Sequence, residues 1–138
     1  MYQSEPYKMA INMAGNAEAN IKQDLFVEIQ NLEQNYAVMR SFLGGEDYDN
    51  ITLGQTIQSF KDGLSRASAF VLALYNLKGK RVSIPWEPLF TSLDYALATI
   101  SVSSSPKQKE AVKTVLSMSQ EQIQQVLSYF SALKESIK

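Results

Sequence analysis

The side chains able to do chemistry in this chain are carboxylates, hydroxyls and lysines. There is no Cys and no His. That removes thiolate nucleophiles, disulfides, zinc fingers and iron–sulfur clusters. It also removes Ser-His-Asp triads, His-ligated haem and phosphorelay histidines. Asp47-Tyr48-Asp49-Asn50 opens with the acidic spacing of a calcium loop. The pattern then fails, because the sixth position is Thr52 where the loop needs Gly, and the twelfth is Gln58 where it needs Glu. Gly44-Gly45 is followed by Glu46 and Asp47, the wrong charge for cradling a phosphate. Asp24, Glu28, Glu33 and Asp62 are of the type that pairs in hydrolysis, but they fall off the apolar stripes, as residues of a solvated helix face do. No Ser, Thr or Lys stands in an arrangement that would activate it. Asn50-Ile51-Thr52 has the form of a glycosylation sequon, with a Thr that also reads as a helix cap. The expectation is a protein that is not an enzyme and holds no cofactor and no metal.

Such residues must be positioned by something, and the dominant pattern is a helical one. Ile21, Leu25, Ile29, Leu32, Tyr36, Met39 and Leu43 recur at steps of three and four, which predicts one stripe of a long helix. The stripe reaches back through Ala17, Ala14 and Ile11, with Ser4-Glu5-Pro6 as its start. Gly15 is the place for a kink, and Gly44-Gly45 is the stop. After a polar connection, Thr52 and Gln55 form a T-x-x-Q capping box. Behind it Leu53, Ile57, Phe60, Leu64, Ala67, Val71 and Leu74 make a strict heptad seam, closed by Lys78-Gly79. Pro85 and Pro88 mark the start of a short third helix carried by Leu89, Leu93, Ala96 or Leu97, and Ile100. Ser105-Pro106 starts a fourth, with Val112, Val115, Ser119, Ile123, Val126, Phe130, Leu133 and Ile137 on its stripe.

No segment alternates as a strand does. The connections are short, which favours antiparallel neighbours. The expected fold is all-α, an antiparallel up-down-up-down four-helix bundle with a long first helix kinked near Gly15. The 138 residues, 45% of them hydrophobic and 20% charged, are enough for one such domain spanning 1–138. The helices are unequal. The first, if continuous, is about 58 Å long at 1.5 Å per residue, so part of it must overhang, fold back or pack on something else.

Charge narrows the partners. The net charge is -1, which argues against a general nucleic-acid binder. The first 69 residues carry five basic and nine acidic side chains, and the remainder eight and five. In the expected topology the acidic loop at Glu46, Asp47 and Asp49 lies near Lys107 and Lys109. Lys78, Lys80 and Arg81 gather at the other end, either serving the helix C-terminus or meeting an anionic partner. No basic, apolar leader pattern opens the chain. The longest apolar stretch, Ala67–Leu77, is interrupted by Ser68 and too short for a bilayer. A soluble, cytoplasmic protein without a membrane is expected, although a mature exported domain would read the same.

Three groups of residues are candidates for contact. Trp86 stands between two prolines, with Phe90 behind it. It serves either as a hydrophobic cap on the bundle end or as a partner anchor. Phe26, Val27 and Val38 lie off the main stripe of the first helix and form a second apolar face suited to helix association. Lys78, Lys80 and Arg81 are the third group. The function expected is a non-catalytic interaction protein, of adaptor, inhibitor, immunity or chaperone type. It would bind a protein partner, or a second copy of itself, through a helix face or bundle end. The alternative is a sensory bundle enclosing a small molecule in a pocket of about 300 Å³ or more, with Tyr36, Tyr75, Tyr95 or Tyr129 supplying polar tips.

Overall fold

The computed structural model describes the backbone of residues 5–80, 86–102 and 106–136, and the side chains of 17–80, 86–100 and 109–136. Four helices follow in order: α1 (Glu5–Leu43), α2 (Asn50–Leu77), α3 (Glu87–Val102) and α4 (Pro106–Ser136). No strand occurs among the described residues. Each helix packs on two neighbours in a ring, α1 on α2, α2 on α3, α3 on α4 and α4 back on α1, and among the described residues the diagonal pairs do not meet. The all-α four-helix bundle expected from the apolar periods is therefore the observed fold.

Specific contacts fix the directions. Arg66 meets Glu28, while Gly63, one turn earlier on α2, lies against Leu32, one turn later on α1. Lys61 pairs with Asp94, and Ser68, further along α2, meets Trp86 just before α3. On α4, Lys113 sits over the Phe42 ring and Gln124 reaches Tyr36, nearer the start of α1. Every neighbour pair runs antiparallel. The first and third connections share an end, where Lys109 Nζ lies 2.8 Å from Asp47 Oδ1. The expected pairing of the acidic loop with Lys109 is present, whereas Lys107 lies outside the described side chains.

Two helix stops share one mechanism. At the end of α1, Glu46 N–H donates to the Ser41 carbonyl and Gly45 N–H to that of Phe42, with Gly45 at φ 110°. At the end of α2, Lys80 N–H donates to Tyr75 and Gly79 N–H to Asn76, with Gly79 at φ 70°. This is the Schellman cap, whose left-handed position favours Gly. The start of α2 differs from expectation. Its cap is Asp49, whose Oδ1 accepts from Thr52 N–H at 2.6 Å, and the helix begins at Asn50. A carboxylate satisfies the free N–H groups of a first turn and complements the helix dipole, so Asp49 displaces the Thr52 box. Gly15 does not break α1, which is helical from Glu5 to Leu43. That continuity excludes a fold-back. Ser4, Ser105, and the side chains of Tyr2, Tyr7 and Met9 lie outside the described residues.

The heptad seam of α2 is buried at every expected position. On α1 and α4 the core is broader than the stripe: Phe42 and Leu116 are fully inside, while Leu43, Val115 and Leu133 are half-buried. Ser119, the polar member of the α4 stripe, is buried with its hydroxyl bonded back to the Val115 carbonyl, which satisfies it within its own helix. No helix of the described residues is long and apolar enough to cross a membrane.

The α1–α2 seam is the most extensive pairing. A Cβ added at Gly63 would approach both Glu28 Oε2 and Leu32 Cδ2 to 3.3 Å, so the missing side chain is what lets the helices approach there. Arg66 grips Glu28 through Nε at 2.7 Å and Nη2 at 3.3 Å. The contrast is α3, with 16 residues against 39 in α1. Its start lies level with Ser68 on α2, and α2 runs on to Leu77.

Candidate functional site: the outer face of α3

The third helix carries two charges, Glu87 and Asp94. Asp94 is neutralised by Lys61. Two of its hydroxyls turn back onto the helix: Ser92 donates to the Pro88 carbonyl and Thr99 to that of Tyr95. Such back-bonding removes hydroxyls from the surface inventory. With Leu89, Leu93, Ala96 and Ile100 buried, the opposite face presents Pro88, Thr91, Tyr95 and Ala98 to solvent. Tyr95 is 63% exposed.

Trp86 holds the start of this helix in place. It is 8% exposed. Its Nε1–H donates to Ser68 Oγ at 3.0 Å, and Ser68 in turn donates to the Leu64 carbonyl at 2.7 Å. The indole packs edge-on against Tyr129 and tilted against Phe130, both at 5.3 Å between ring centres. A Trp with its N–H paired and its ring packed on two others is a packing element, and the small part of Trp86 left exposed borders the recesses beside it. Of the two roles read from its position, the internal cap is the one its surroundings describe. Burial pushes the Tyr129 phenol above its ordinary pKa, so its hydroxyl keeps its proton.

Three recesses surround α3. Between its first turn and α4 lies a cleft of about 350 Å³ walled by Trp86, Leu89, Val126 and Tyr129, with Gln122 and Gln125 among its lining. On the other side of Trp86 a recess of about 340 Å³ is formed with Ser65, Ser68, Glu87 and Phe90. Towards the C-terminus of α3, an open groove of about 610 Å³ runs between it and the start of α2, lined by Ile51, Gly54, Leu97, Ala98 and Ile100. Gly54 helps make this groove, since a Cβ there would stand 3.9 Å from Ile100 Cγ2. Ile51 is 72% exposed on its rim. On the other flank, Met118, Gln122, Gln125 and Tyr129 recur at steps of four and three on α4, and Met118 is 78% exposed.

The residues singled out from sequence do not converge. Trp86 and the half-buried Phe90 meet at the start of α3. Phe26 is half-buried against the core, Val38 is half-buried, and Val27 is exposed. All three are on α1, which does not touch α3 among the described residues. Lys78 and Lys80 are exposed beside Tyr75 and Leu133 at the far end of the bundle. There the C-terminal carbonyls of α2 attract cations. Arg81 lies outside the described residues. Of the tyrosines named for an internal pocket, Tyr129 lines the α3–α4 cleft and Tyr75 the lysine recess. Tyr36 is buried, accepting from Gln124 Nε2 at 3.3 Å, and Tyr95 faces out.

Sequence reading did not single out Ile51 or Met118. Ile51 was hidden by placing the helix start at Thr52, which left it in a loop. Met118 carries only the signal of being off the α4 stripe.

At the acidic end, the hydrogen bond from Lys109 holds the Asp47 carboxyl below its ordinary pKa, and the Thr52 backbone N–H does the same for Asp49. These groups are committed to the fold. No cluster of three or more metal-ligating side chains occurs among the described residues. What the α3 face can do chemically is bind by shape and apolar contact. Comparison with protein-family models, curated proteins and solved structures gives no match to this chain.

Proposed function

We propose that this chain is a non-catalytic helical interaction protein, of the adaptor, inhibitor, immunity or chaperone kind, and that it engages a protein partner through the outer face of α3. The observation that carries the reading is that the three most exposed large apolar side chains among the described residues border this helix, Ile51 on one flank, Tyr95 on its crest and Met118 on the α4 flank, while the less exposed Val27, Leu72 and Leu77 lie on α1 and α2. Apolar surface gathered beside an open groove is the usual mark of a protein contact. Single exposed residues elsewhere, such as Val27, carry no such meaning. A second copy of the chain is one such partner.

The test compares four forms of the protein as bait in lysate of the native host. Gly54→Leu fills the α2–α3 groove at a helical position that tolerates a side chain. Val27→Glu places a charge on α1, across the bundle. The reading expects a partner retained by the wild type and by Val27→Glu but lost by Gly54→Leu and by Tyr95→Glu. Retention by all four forms, or loss with Val27→Glu alone, would contradict it. Sedimentation of the same proteins identifies the case in which the partner is another copy.

A further inference from the structure

We propose that the cleft between the first turn of α3 and α4 is a binding site for a small, uncharged, aromatic molecule carrying a hydrogen-bonding substituent. This goes beyond the reading of a protein partner and concerns the opposite flank of α3 from the α2–α3 groove. The cleft holds about 350 Å³, at the small end of the range that ligand pockets occupy, which suits one or two fused or linked rings. Its lining has no ionisable group other than the Tyr129 phenol. A charged ligand would give up hydration there without gaining a counter-charge, whereas a neutral one loses little.

The wall is preformed. Trp86 is held at its nitrogen by Ser68 and at its ring by Tyr129 and Phe130, so binding need not order it, and that ordering cost is a main loss in ligand affinity. Trp86 and Tyr129 meet with their planes at 64°. The two rings make a corner in which a flat ring can lie on one and abut the other, the offset or edge geometry aromatic pairs prefer. Gln122 and Gln125 are exposed on α4. Their amides offer both donors and acceptors, which fits a carbonyl, amide, amine or hydroxyl substituent and gives the ligand an orientation.

Trp86 is the one tryptophan of the chain, so its emission reports on the cleft and on the Phe90 recess it also borders, and Val126→Phe, which alters the cleft alone, tells the two apart. The experiment titrates the full chain with N-phenyl-1-naphthylamine, following probe emission and Trp86 quenching together, and repeats the titration with 8-anilinonaphthalene-1-sulfonate, which adds an anionic group to a similar skeleton. The expected result is saturable one-to-one binding of the neutral probe with quenching of Trp86, and binding of the sulfonate weaker by about tenfold or more. Gln125→Glu changes an exposed residue and should weaken the neutral probe severalfold and the sulfonate further. Val126→Phe, checked for an unchanged helical spectrum, should abolish binding. Gly54→Leu should leave the probe bound while disturbing the protein contact, which separates the two readings. No saturable binding, equal affinity for both probes, or affinity unchanged by both Gln125→Glu and Val126→Phe would overturn the proposal.

Discussion

The seam between α1 and α2 and the surroundings of α3 are built from the same kind of amphipathic helix, and they are sealed to different degrees. In the first, a glycine lets two long helices close on each other, and a two-pronged Arg66–Glu28 contact crosses the join. In the second, a helix of 16 residues lies against longer neighbours, with a recess on each flank and one tryptophan plugging its start. Glycine acts in opposite ways at the two places. Gly63 permits contact, whereas Gly54 leaves a gap. The difference teaches that burying every apolar stripe does not settle the outer surface: the stripes of both regions are buried, while Ile51, Tyr95 and Met118, off those stripes, stay exposed around α3.

The comparison can be broken most forcefully in the core. Leu64→Ala and Ile123→Ala each remove a side chain that is 0–1% exposed and should cost about 2–5 kcal/mol in urea unfolding. A loss much below that range would mean the seams are placed wrongly. Gly63→Val forces a branched side chain between Glu28 and Leu32 and should cost about 1–3 kcal/mol. If it were neutral, the close approach would not be real. Ser68→Ala leaves the Trp86 indole N–H unpaired and should cost about 1–2 kcal/mol, with a shift in Trp86 emission. Gly54→Ala should instead raise stability by about 0.5–1 kcal/mol, because Ala is the better helix former and the added Cβ meets Ile100 at an ordinary contact distance. The two glycines thus give opposite signs, and equal signs would erase the contrast.

The smallest expected effect is one of pH. Asp47 and Asp49 are held below the ordinary aspartate value of 3.8 in the folded chain. Their contribution is present above that value and disappears as pH falls through the lowered folded values. Thermal melts between pH 5 and 2 should therefore show a loss of stability that is smaller in Asp49→Asn than in wild type. An identical acid response would detach the Asp49 cap from the fold's pH dependence.

The fold was largely legible because helix periods and glycine stops are local. The α2 seam and the Schellman glycines at 45 and 79 follow from short stretches of chain, and the Asp47–Lys109 end pairing follows once short connections make neighbouring helices antiparallel. Phe42 and Leu116 were missed because a stripe drawn on one helix does not show how wide a neighbour will cover it. The cap of α2 was misplaced by three residues because a neutral Thr box and an acidic cap compete for the same free N–H groups. The candidate site was less legible for a stronger reason. From its flanking prolines Trp86 reads either as a bundle cap or as an anchor, and the contacts that hold it, Ser68, Tyr129 and Phe130, are far off in sequence. Ile51, Tyr95 and Met118 lie off the apolar stripes, so no periodicity marks them, and only the assembled bundle shows that they border the same helix.

Native-state hydrogen exchange tests the contrast most directly. The amides of α1 from Leu25 to Phe42 and of α2 from Leu53 to Val71 should exchange only through global unfolding, whereas those of α3 should open at a lower free energy and exchange first. Protection of α3 equal to or greater than that of the α1–α2 seam would contradict the claim that this helix is the loosely covered, ligand-accessible side of the bundle.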